Sequence, residues 1–289
     1  MRGWMTCRKL SRRPEPVGVT PYDVAALEQL DTIYRGLCAL LFNFAQSGHP
    51  GGSVSSGRIV AGLLFDGMDY DIGDPNRRDQ DLISYSAGHK AMGLYAMWAL
   101  RDEITRIALP DLLPDEENLR LRFEDLLGVR RNVTHPTPLF NVFHSKALDG
   151  HPTPATPFVR LSTGASGIGV GSSLGLAMAA ADVYGDDAPW VHLIEGEGGL
   201  TPGRAAEAAA FAGTSGLSNA IVHLDWNQAS IDSDAVTREG DKPGEYVQWD
   251  PCEFFYFQDW NVIHVSDGFD VGQVLTAQRM ATKMGNGQP

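Results

Sequence analysis

The feature that most constrains this chain is the alternation of short apolar runs with longer helical patterns from residue 20 onward. Apolar runs short enough for buried strands cover residues 82–85, 190–194, 219–224 and 261–265. Patterns with helical apolar spacing cover residues 21–46, a stretch ending near 66, and residues 91–101, 116–127, 170–184, 205–212 and 270–284. This alternation predicts an α/β fold with a parallel sheet flanked by helices on both faces. In such sheets, ligands bind beyond the carboxyl ends of the strands.

The first nineteen residues differ in character from the rest. They hold a basic cluster without the apolar segment that a secretory signal requires, so we expect residues 1–19 to form a basic, flexible tail. A short organelle-targeting segment and a misplaced start codon are the alternative interpretations. Residues 20–289 show no internal repeat and are expected to form one domain. Residues 285–289 are a turn signal that would ordinarily lead into another strand, so the next element is expected to lie outside this sequence.

Composition limits the partners that such a chain can have. Its 23 Lys and Arg against 36 Asp and Glu give a net charge of −13, which disfavours nucleic acid and other polyanions. Cys7, Cys38 and Cys252 form no CxxC pair, which is typical of a reducing, cytoplasmic location. We find no apolar run near the roughly 20 residues that span a bilayer, so no membrane partner is expected. An anionic ligand would therefore need a locally built site.

The strongest local motif is the segment EGEGG at residues 195–199, which follows a predicted strand. Glycine lets the backbone approach a ligand closely, and a helix N-terminus just beyond can hold phosphate. Glu197 lies thirty positions before Asn227, about one strand-helix-strand unit, so both side chains can reach the same end of neighbouring strands. A carboxylate and an amide oxygen suit Mg²⁺ or Ca²⁺, with a backbone carbonyl and diphosphate oxygens as further ligands. On spacing alone, a solvated turn acid and an ordinary turn asparagine stay open as the other interpretation.

A second glycine motif, TGASGIG at residues 163–169, favours a different class of enzyme at first sight. It is similar to the nucleotide turn of short-chain dehydrogenases, which would make the chain a nicotinamide enzyme. However, the motif lies in mid-chain, and no tyrosine has a lysine four positions later, as that chemistry would need. The same glycines would let a backbone turn pack against any flat cofactor.

Three histidines follow glycine in predicted loops. His49 and His89 stand at loop-to-helix junctions, and His151 lies in a long loop rich in proline. A single histidine is more often structural than functional. Three in such contexts, in an acidic chain, favour sites that bind anions or move protons.

Taken in order, six motifs resemble the N-terminal, cofactor-binding domain of transketolase. They are SGHPGG at 47–52, SAGH at 86–89, GHP at 150–152, TGxxGxG at 163–169, GEG at 196–198 and DxN at 225–227. The resemblance covers roughly residues 20–289. It implies the thiamine-diphosphate-binding fold, in its diphosphate domain, with thiamine diphosphate and Mg²⁺ or Ca²⁺ as cofactors. The implied reaction is that of a transferase of the pentose phosphate pathway, which moves a two-carbon ketol unit from a ketose phosphate to an aldose phosphate.

The resemblance also implies residues for the metal and the diphosphate. Glu197, Asn227 and the backbone carbonyl of Ala229 would bind the metal. His89 and Gly198 would contact the diphosphate. The acid that binds the metal is normally aspartate in this family, so the longer Glu197 requires the backbone or the metal to move.

Further residues are implied around the rings of the cofactor and the substrate. Gly164, Ser166, Gly167 and Ile231 would contact the thiazolium and pyrimidine rings.

His49 and His151 would face the reacting carbons and hydroxyls of the substrate, and with His89 they are the expected catalytic residues. Glu207 matches a carboxylate of the family's subunit interface. Pro202 stands where the family usually has a second interface glutamate.

Half of the implied active site is absent from this sequence. In the family, the carboxylate that activates thiamine comes from the following pyrimidine-binding domain, across a subunit interface. We therefore expect an N-terminal half or subunit that is inactive alone and needs a C-terminal transketolase half, in a homo- or hetero-oligomer such as a dimer. The alternatives are a deoxyxylulose-phosphate synthase, a pyruvate dehydrogenase component, or a non-catalytic protein that binds thiamine diphosphate or a partner.

Overall fold

Five short strands and nine α-helices make up the part of the chain that the computed structural model describes, residues 4–6, 18–131, 134–228, 247 and 249–289. The strands are β1 (Trp4–Thr6), β2 (Leu82–Tyr85), β3 (Val191–Gly196), β4 (Ala220–Asp225) and β5 (Val262–His264). The helices are α1 (Pro21–Ala45), α2 (Pro50–Ser55), α3 (Gly57–Gly62), α4 (Ala91–Ala108), α5 (Pro138–Val142), α6 (Ile168–Tyr184), α7 (Gly203–Ser215), α8 (Pro251–Phe257) and α9 (Val271–Ala281).

The central sheet consists of β2, β3 and β4, all parallel, in that order. The register pairs Leu82 with Val191 and Gly196 with Asp225, so the carboxyl ends of β3 and β4 are level. This confirms the predicted parallel sheet and brings the segments after the two strands to one edge.

Helices cover both faces of this sheet, as the alternation predicted. Because successive side chains of a strand point to opposite faces, each strand contributes to two apolar clusters. Ile83 and Ile194 pack in one cluster with α1 and α4, whereas Leu82 and Leu193 pack in the other with α6 and α7. Each fully buried side chain of this kind contributes about 1.5–3 kcal/mol.

The start of α1 follows its sequence signal closely. Thr20 caps the helix by accepting a hydrogen bond from the N–H of Asp23, and Asp23 accepts one from Thr20 in return. Pro21 occupies the first turn, where its missing N–H costs nothing. The predicted helix over 21–46 is therefore confirmed to within one residue.

One predicted helix is wrong, and one predicted strand is confirmed but lies outside the central sheet. Residues 116–127 form no α-helix but two 3₁₀ turns, Glu117–Leu119 and Phe123–Gly128, because the backbone is extended at Arg120 and Arg122 and a capping pair of Arg122 with Asp125 starts the second turn. The fourth expected strand, β5, pairs with β1 rather than with β4, and a cavity of about 720 Å³ lies between β4 and β5. Residues 4–6 of the expected flexible tail are therefore paired through their backbone with β5. The rest of that segment up to residue 17 lies outside the described residues.

The expectation that no apolar stretch approaches the length needed to span a bilayer is wrong for helix α6 and the turn that follows it. The stretch Ile168–Asp187 is long and apolar enough to cross a membrane by length and composition, with a mean hydropathy of 1.2. Core helices pass the same test, and Val170, Leu174 and Ala177 of α6 lie in the cluster beneath the sheet. The stretch is therefore weak evidence for a membrane segment.

The N-terminus of α6 lies directly on the loop after β2. A Cβ atom placed on Gly169 would lie 2.5 Å from the Cα of Ser86, whereas one placed on Gly171 would meet only the Cβ of Ala208 at 3.9 Å. Only glycine fits at position 169, because the obstacle is backbone and cannot move aside cheaply.

We expect Gly169→Ala to lower the free energy of unfolding by about 2–3 kcal/mol through overpacking. Gly171→Ala is the matched control in the same helix and should raise it by roughly 0.5–1 kcal/mol, because alanine restricts the unfolded chain. Denaturant unfolding of both variants measures the difference. Equal stability of the two variants would contradict the close contact of α6 with Ser86.

Candidate functional site

The residues after β3 and β4 meet at the carboxyl edge of the sheet. Glu197 begins the 3₁₀ turn Glu197–Leu200 directly after β3, and Asn227 follows β4 by two residues. The backbone N–H of Asn227 donates a hydrogen bond to Oε2 of Glu197 at 3.3 Å. The thirty-residue spacing therefore brings Glu197 into contact with the backbone of Asn227, and because Glu197 is buried it is not the solvated turn acid of the other interpretation.

Asp225 connects this edge to two other segments. Its Oδ2 accepts hydrogen bonds from Nζ of Lys90 at 2.7 Å, from Oγ of Ser55 at 2.5 Å and from Nδ2 of Asn227 at 2.9 Å. Because Nδ2 of Asn227 is a donor in these contacts, a cation would be bound through Oδ1. Lys90 and Ser55 were not predicted as site residues, although Lys90 directly follows His89 in the sequence.

Two carboxyl groups in this region are buried with incomplete hydrogen bonding. Glu197 is 1% exposed and Glu195 is 2% exposed, and Oε1 of Glu197 and Oε2 of Glu195 have no hydrogen-bond partner among the described residues. Burial raises the pKa of Glu195 to about 7 and also raises the pKa of Glu197, where the charge of Asp225 adds to the effect. A cation beside these oxygens would supply the missing partner, so the residues fit a divalent metal.

The protein alone provides few ligands for such an ion. Within the described ranges, no three His, Cys, Asp or Glu side chains are arranged to hold a metal ion together. The third predicted ligand, the carbonyl of Ala229, lies outside the described residues, as does Ile231. Oxygen atoms from a diphosphate would complete a set of this kind.

The three predicted histidines come together beside this edge. The rings of His49 and His89 are edge to face, with centroids 6.4 Å apart. Burial lowers the pKa of His89 to about 4, and the nearby Lys90, His49 and His151 act in the same direction. Burial also lowers the pKa of His151, with the charges of Arg130 and His49 adding to it. Both shifts favour the neutral imidazole, which can both donate and accept a proton.

Arg130 is a residue of this cluster that the sequence analysis missed. Its guanidinium donates to Oγ of Ser47 at 3.0 Å and lies within 3.0–3.4 Å of the Cβ positions of Gly48 and Gly150. These glycines directly precede His49 and His151, so Arg130 connects the two histidine loops. No sequence motif marks Arg130. Its place in the cluster depends on how the loops pack and on a positive φ of 54°, neither of which the sequence reveals.

The predicted ring-contacting glycines form a surface of backbone. A Cβ atom on Gly88 would lie 2.8 Å from the Cα of Gly164, and one on Gly164 would lie 2.9 Å from the ring of His151. Gly167 has a φ of 78°, and a Cβ on it would meet the ring of Pro202 at 3.3 Å. The loop around residue 164 is therefore packed tightly against both the loop after β2 and His151.

The remaining predicted residues lie around this surface. Ser166 is exposed, and the carbonyl of Gly198 accepts a hydrogen bond from Oγ1 of Thr201 at 2.9 Å. Glu207 lies on an exposed face of α7, and Pro202 immediately precedes that helix. Their roles toward a ligand stay predictions.

Comparisons with known proteins define the class of this fold and site. The family described as "Transketolase, thiamine diphosphate binding domain" matches residues 126–289, more than half of the chain. The chain is 35% identical to human transketolase over 235 residues, which are 81% of this chain and 31% of that protein. It is 32% identical to mouse transketolase-like protein 2 over 268 residues, 91% of this chain and 35% of that protein. The chain belongs to the family of transketolase N-terminal, thiamine-diphosphate-binding domains and spans about a third of the length of these relatives.

Solved structures agree with this assignment. Transketolase from Leishmania mexicana matches 91% of this chain with a TM-score of 0.70 and 26% identity, and 35% of that structure is covered. Transketolase from Campylobacter jejuni matches 89% of this chain with a TM-score of 0.70 and 27% identity, again with 35% covered. The predicted α/β, thiamine-diphosphate-binding fold is thereby confirmed.

The neutral state of His89 gives a measurable expectation. Because its pKa in the folded chain is about 4, its ring should stay unprotonated between pH 5.5 and 8. The unfolded chain takes up this proton at higher pH, so the stability that His89 contributes is complete above about pH 6.5 and is lost as the pH falls toward 4. Histidine-selective NMR over a pH series checks this, with His89→Gln to assign the signal. A titration midpoint above pH 6 would contradict the burial of this ring.

Proposed function

We propose that this chain is the N-terminal half or subunit of a transketolase. Such a transferase binds thiamine diphosphate with Mg²⁺ or Ca²⁺ and moves two-carbon ketol units between ketose and aldose phosphates. The observation that carries the proposal is the contact of Asn227 with Glu197, whose second oxygen is buried and has no partner among the described residues. Three clustered histidines beside it and membership of the family support the same reading.

In this proposal, the metal is held at the carboxyl ends of β3 and β4. Glu197 and the Oδ1 atom of Asn227 are the side-chain ligands, and the carbonyl of Ala229 is the backbone ligand. Glu197 suits this role because its Oε1 is buried away from water and has no hydrogen-bond partner among the described residues. His89 and Gly198 contact the diphosphate, for which the neutral ring of His89 offers an N–H donor.

The cofactor's rings are placed against glycine-lined backbone. When bound, thiamine diphosphate supplies the nucleophilic carbon that accepts the two-carbon unit. Gly164, Ser166, Gly167 and Ile231 are the residues proposed to contact its rings. The close backbone contacts of Gly164 leave no side chain there to block a flat ring.

His49 and His151 are proposed to act on the sugar. The geometry places His49 edge to face with His89, and the ring of His151 lies against Gly164. A neutral His151, whose pKa is lowered by burial and by Arg130, can accept a proton from a substrate hydroxyl and return it. With His89, these residues form the proposed catalytic set.

The proposed protein works as part of a larger assembly. The chain spans about a third of its relatives' length, and a partner with the pyrimidine-binding domain is proposed to complete the site. Glu207, exposed on α7, is proposed to face that partner in a homo- or hetero-oligomer such as a dimer. A cytoplasmic role in the pentose phosphate pathway, acting on sugar phosphates, belongs to the same proposal.

Calorimetry with thiamine diphosphate and Mg²⁺ tests the binding part. We expect Glu197→Gln to weaken cofactor binding at least about tenfold, because the substitution removes the charged metal ligand. Glu253→Gln, the same change at an exposed glutamate of α8, is the matched control and should bind like the wild type. Equal affinity of both variants would remove the metal assignment.

Ketol-transfer assays test the need for a partner. The purified 289-residue chain should show no turnover with a ketose and an aldose phosphate, and adding a C-terminal transketolase half should produce it. The physical reason is that the carboxylate expected to activate thiamine is supplied by that half. Turnover by the chain alone would rule out the half-site proposal.

A non-catalytic protein that binds thiamine diphosphate is the second candidate. Pro202, which packs on Gly167 at the start of α7, favours it, because no carboxylate is available at that position. Cofactor binding without turnover in the presence of the C-terminal half would support this candidate over the first.

A further inference from the structure

The metal-binding edge of the sheet contains a buried lysine, which the predicted roles above do not use. Lys90 is 1% exposed, and its Nζ lies 2.7 Å from Oδ2 of Asp225. The aliphatic part of the side chain passes under Gly52, where a Cβ atom would come within 3.0 Å of Cε. The ammonium group is therefore held in one place by packing and by an ion pair.

This ammonium lies among the same carboxylates that a cation would contact. Its Nζ is 3.7 Å from the Cβ position of Gly196, the residue between Glu195 and Glu197. Its charge opposes the effect of burial on both of these carboxyl groups. The charge of Lys90 thus acts on three buried carboxyl groups at the ends of β3 and β4, although the ion pair is with Asp225.

The ion pair of Lys90 with Asp225 also affects whether the Asp225 carboxylate can bind a metal cation. Asp225 of β4 pairs with Gly196 of β3 and lies two residues before Asn227. This is a favourable position for a metal ligand. Its Oδ2 instead accepts hydrogen bonds from Lys90, Ser55 and Asn227.

We propose that Lys90 is a resident cation of this site, which keeps Asp225 out of the metal's ligand set and opposes divalent-ion binding until a diphosphate is present. A +1 charge fixed beside the carboxylates repels a +2 ion and satisfies part of the negative charge that would attract it. A diphosphate brings further negative charge, so the ion and the cofactor bind together rather than in sequence. The inference rests on the proposed function for its identification of this edge as a diphosphate site.

Mn²⁺ alone, without cofactor, is the probe that tests the proposal, with affinity measured by water-proton relaxation. Lys90→Met keeps the length of the side chain and removes its charge, so Mn²⁺ should bind at least tenfold more tightly than to the wild type. The double variant Lys90→Met with Asp225→Asn removes the released carboxylate as well and should return the affinity to the wild-type level or below. Loss of structure would weaken ion binding, so the tighter binding expected for Lys90→Met is opposite in sign to damage.

Lys146→Met is the matched control for the change in net charge. Lys146 is a partly buried lysine that donates to the carbonyl of Glu117 at 2.6 Å and lies 3.5 Å from Asp125, far along the chain from the site. Its substitution should leave Mn²⁺ affinity unchanged. Equal or weaker Mn²⁺ binding by folded Lys90→Met, including no binding by either protein, would overturn the proposal.

A measurement on the wild type covers the case in which Lys90→Met does not fold. The ¹⁵N signal of a buried ammonium group can be followed by NMR while Mg²⁺ is added. If Lys90 stays paired with Asp225 and opposes the ion, Mg²⁺ alone should leave the Lys90 signal in place, whereas Mg²⁺ added together with pyrophosphate should shift it and leave that of Lys146 unchanged. A Lys90 signal that shifts as much with Mg²⁺ alone as with Mg²⁺ and pyrophosphate together would also overturn the proposal. Failure of the wild type to bind thiamine diphosphate with Mg²⁺ would defeat the proposed function but leave the Mn²⁺ comparison decisive for Lys90.

Discussion

The register between β3 and β4 determines where Glu197, Asp225 and Asn227 lie relative to one another. Gly196 pairs with Asp225, so Glu197 and Asn227 leave their strands at the same level and meet. A shift of one residue would turn each side chain to the opposite face of the sheet. That register is maintained by the apolar alternation of the strands, which commits Leu193 to one cluster and Ile194 to the other. The chemistry at the edge thus depends on packing well below it.

The sequence was most informative where a local pattern has one physical solution. The cap at Thr20, the strand over 82–85 and the spacing from Glu197 to Asn227 each led to the observed arrangement. Residues 116–127 misled, because their mixed charges fit an exposed helix, whereas Arg122 and Asp125 instead cap the second of two short turns. Chain position alone also could not show that β5 pairs with β1, since that pairing joins opposite ends of the sequence.

The residues that sequence reasoning missed are those whose role depends on distant partners. Lys90 meets Asp225 across 135 positions, and Ser55 meets it across 170. Arg130 reaches Ser47 across 83 positions and fits only because Gly48 and Gly150 leave room for it. No periodicity or spacing rule connects such pairs, because their geometry is set by how whole segments pack. The three histidines were identifiable because each stands in a short motif of its own.

The glycine contacts around Gly88, Gly164 and Gly169 place main-chain atoms of separate loops against each other. Much of the shape of this surface is therefore made of peptide groups, which are chemically the same in every protein. Side chains away from these contacts can then differ between relatives while the surface keeps its shape. This offers a physical account of how chains with about a quarter identical residues share one architecture. Sequence divergence in such a domain is therefore limited most at the positions where main-chain atoms of two loops leave no space for a side chain.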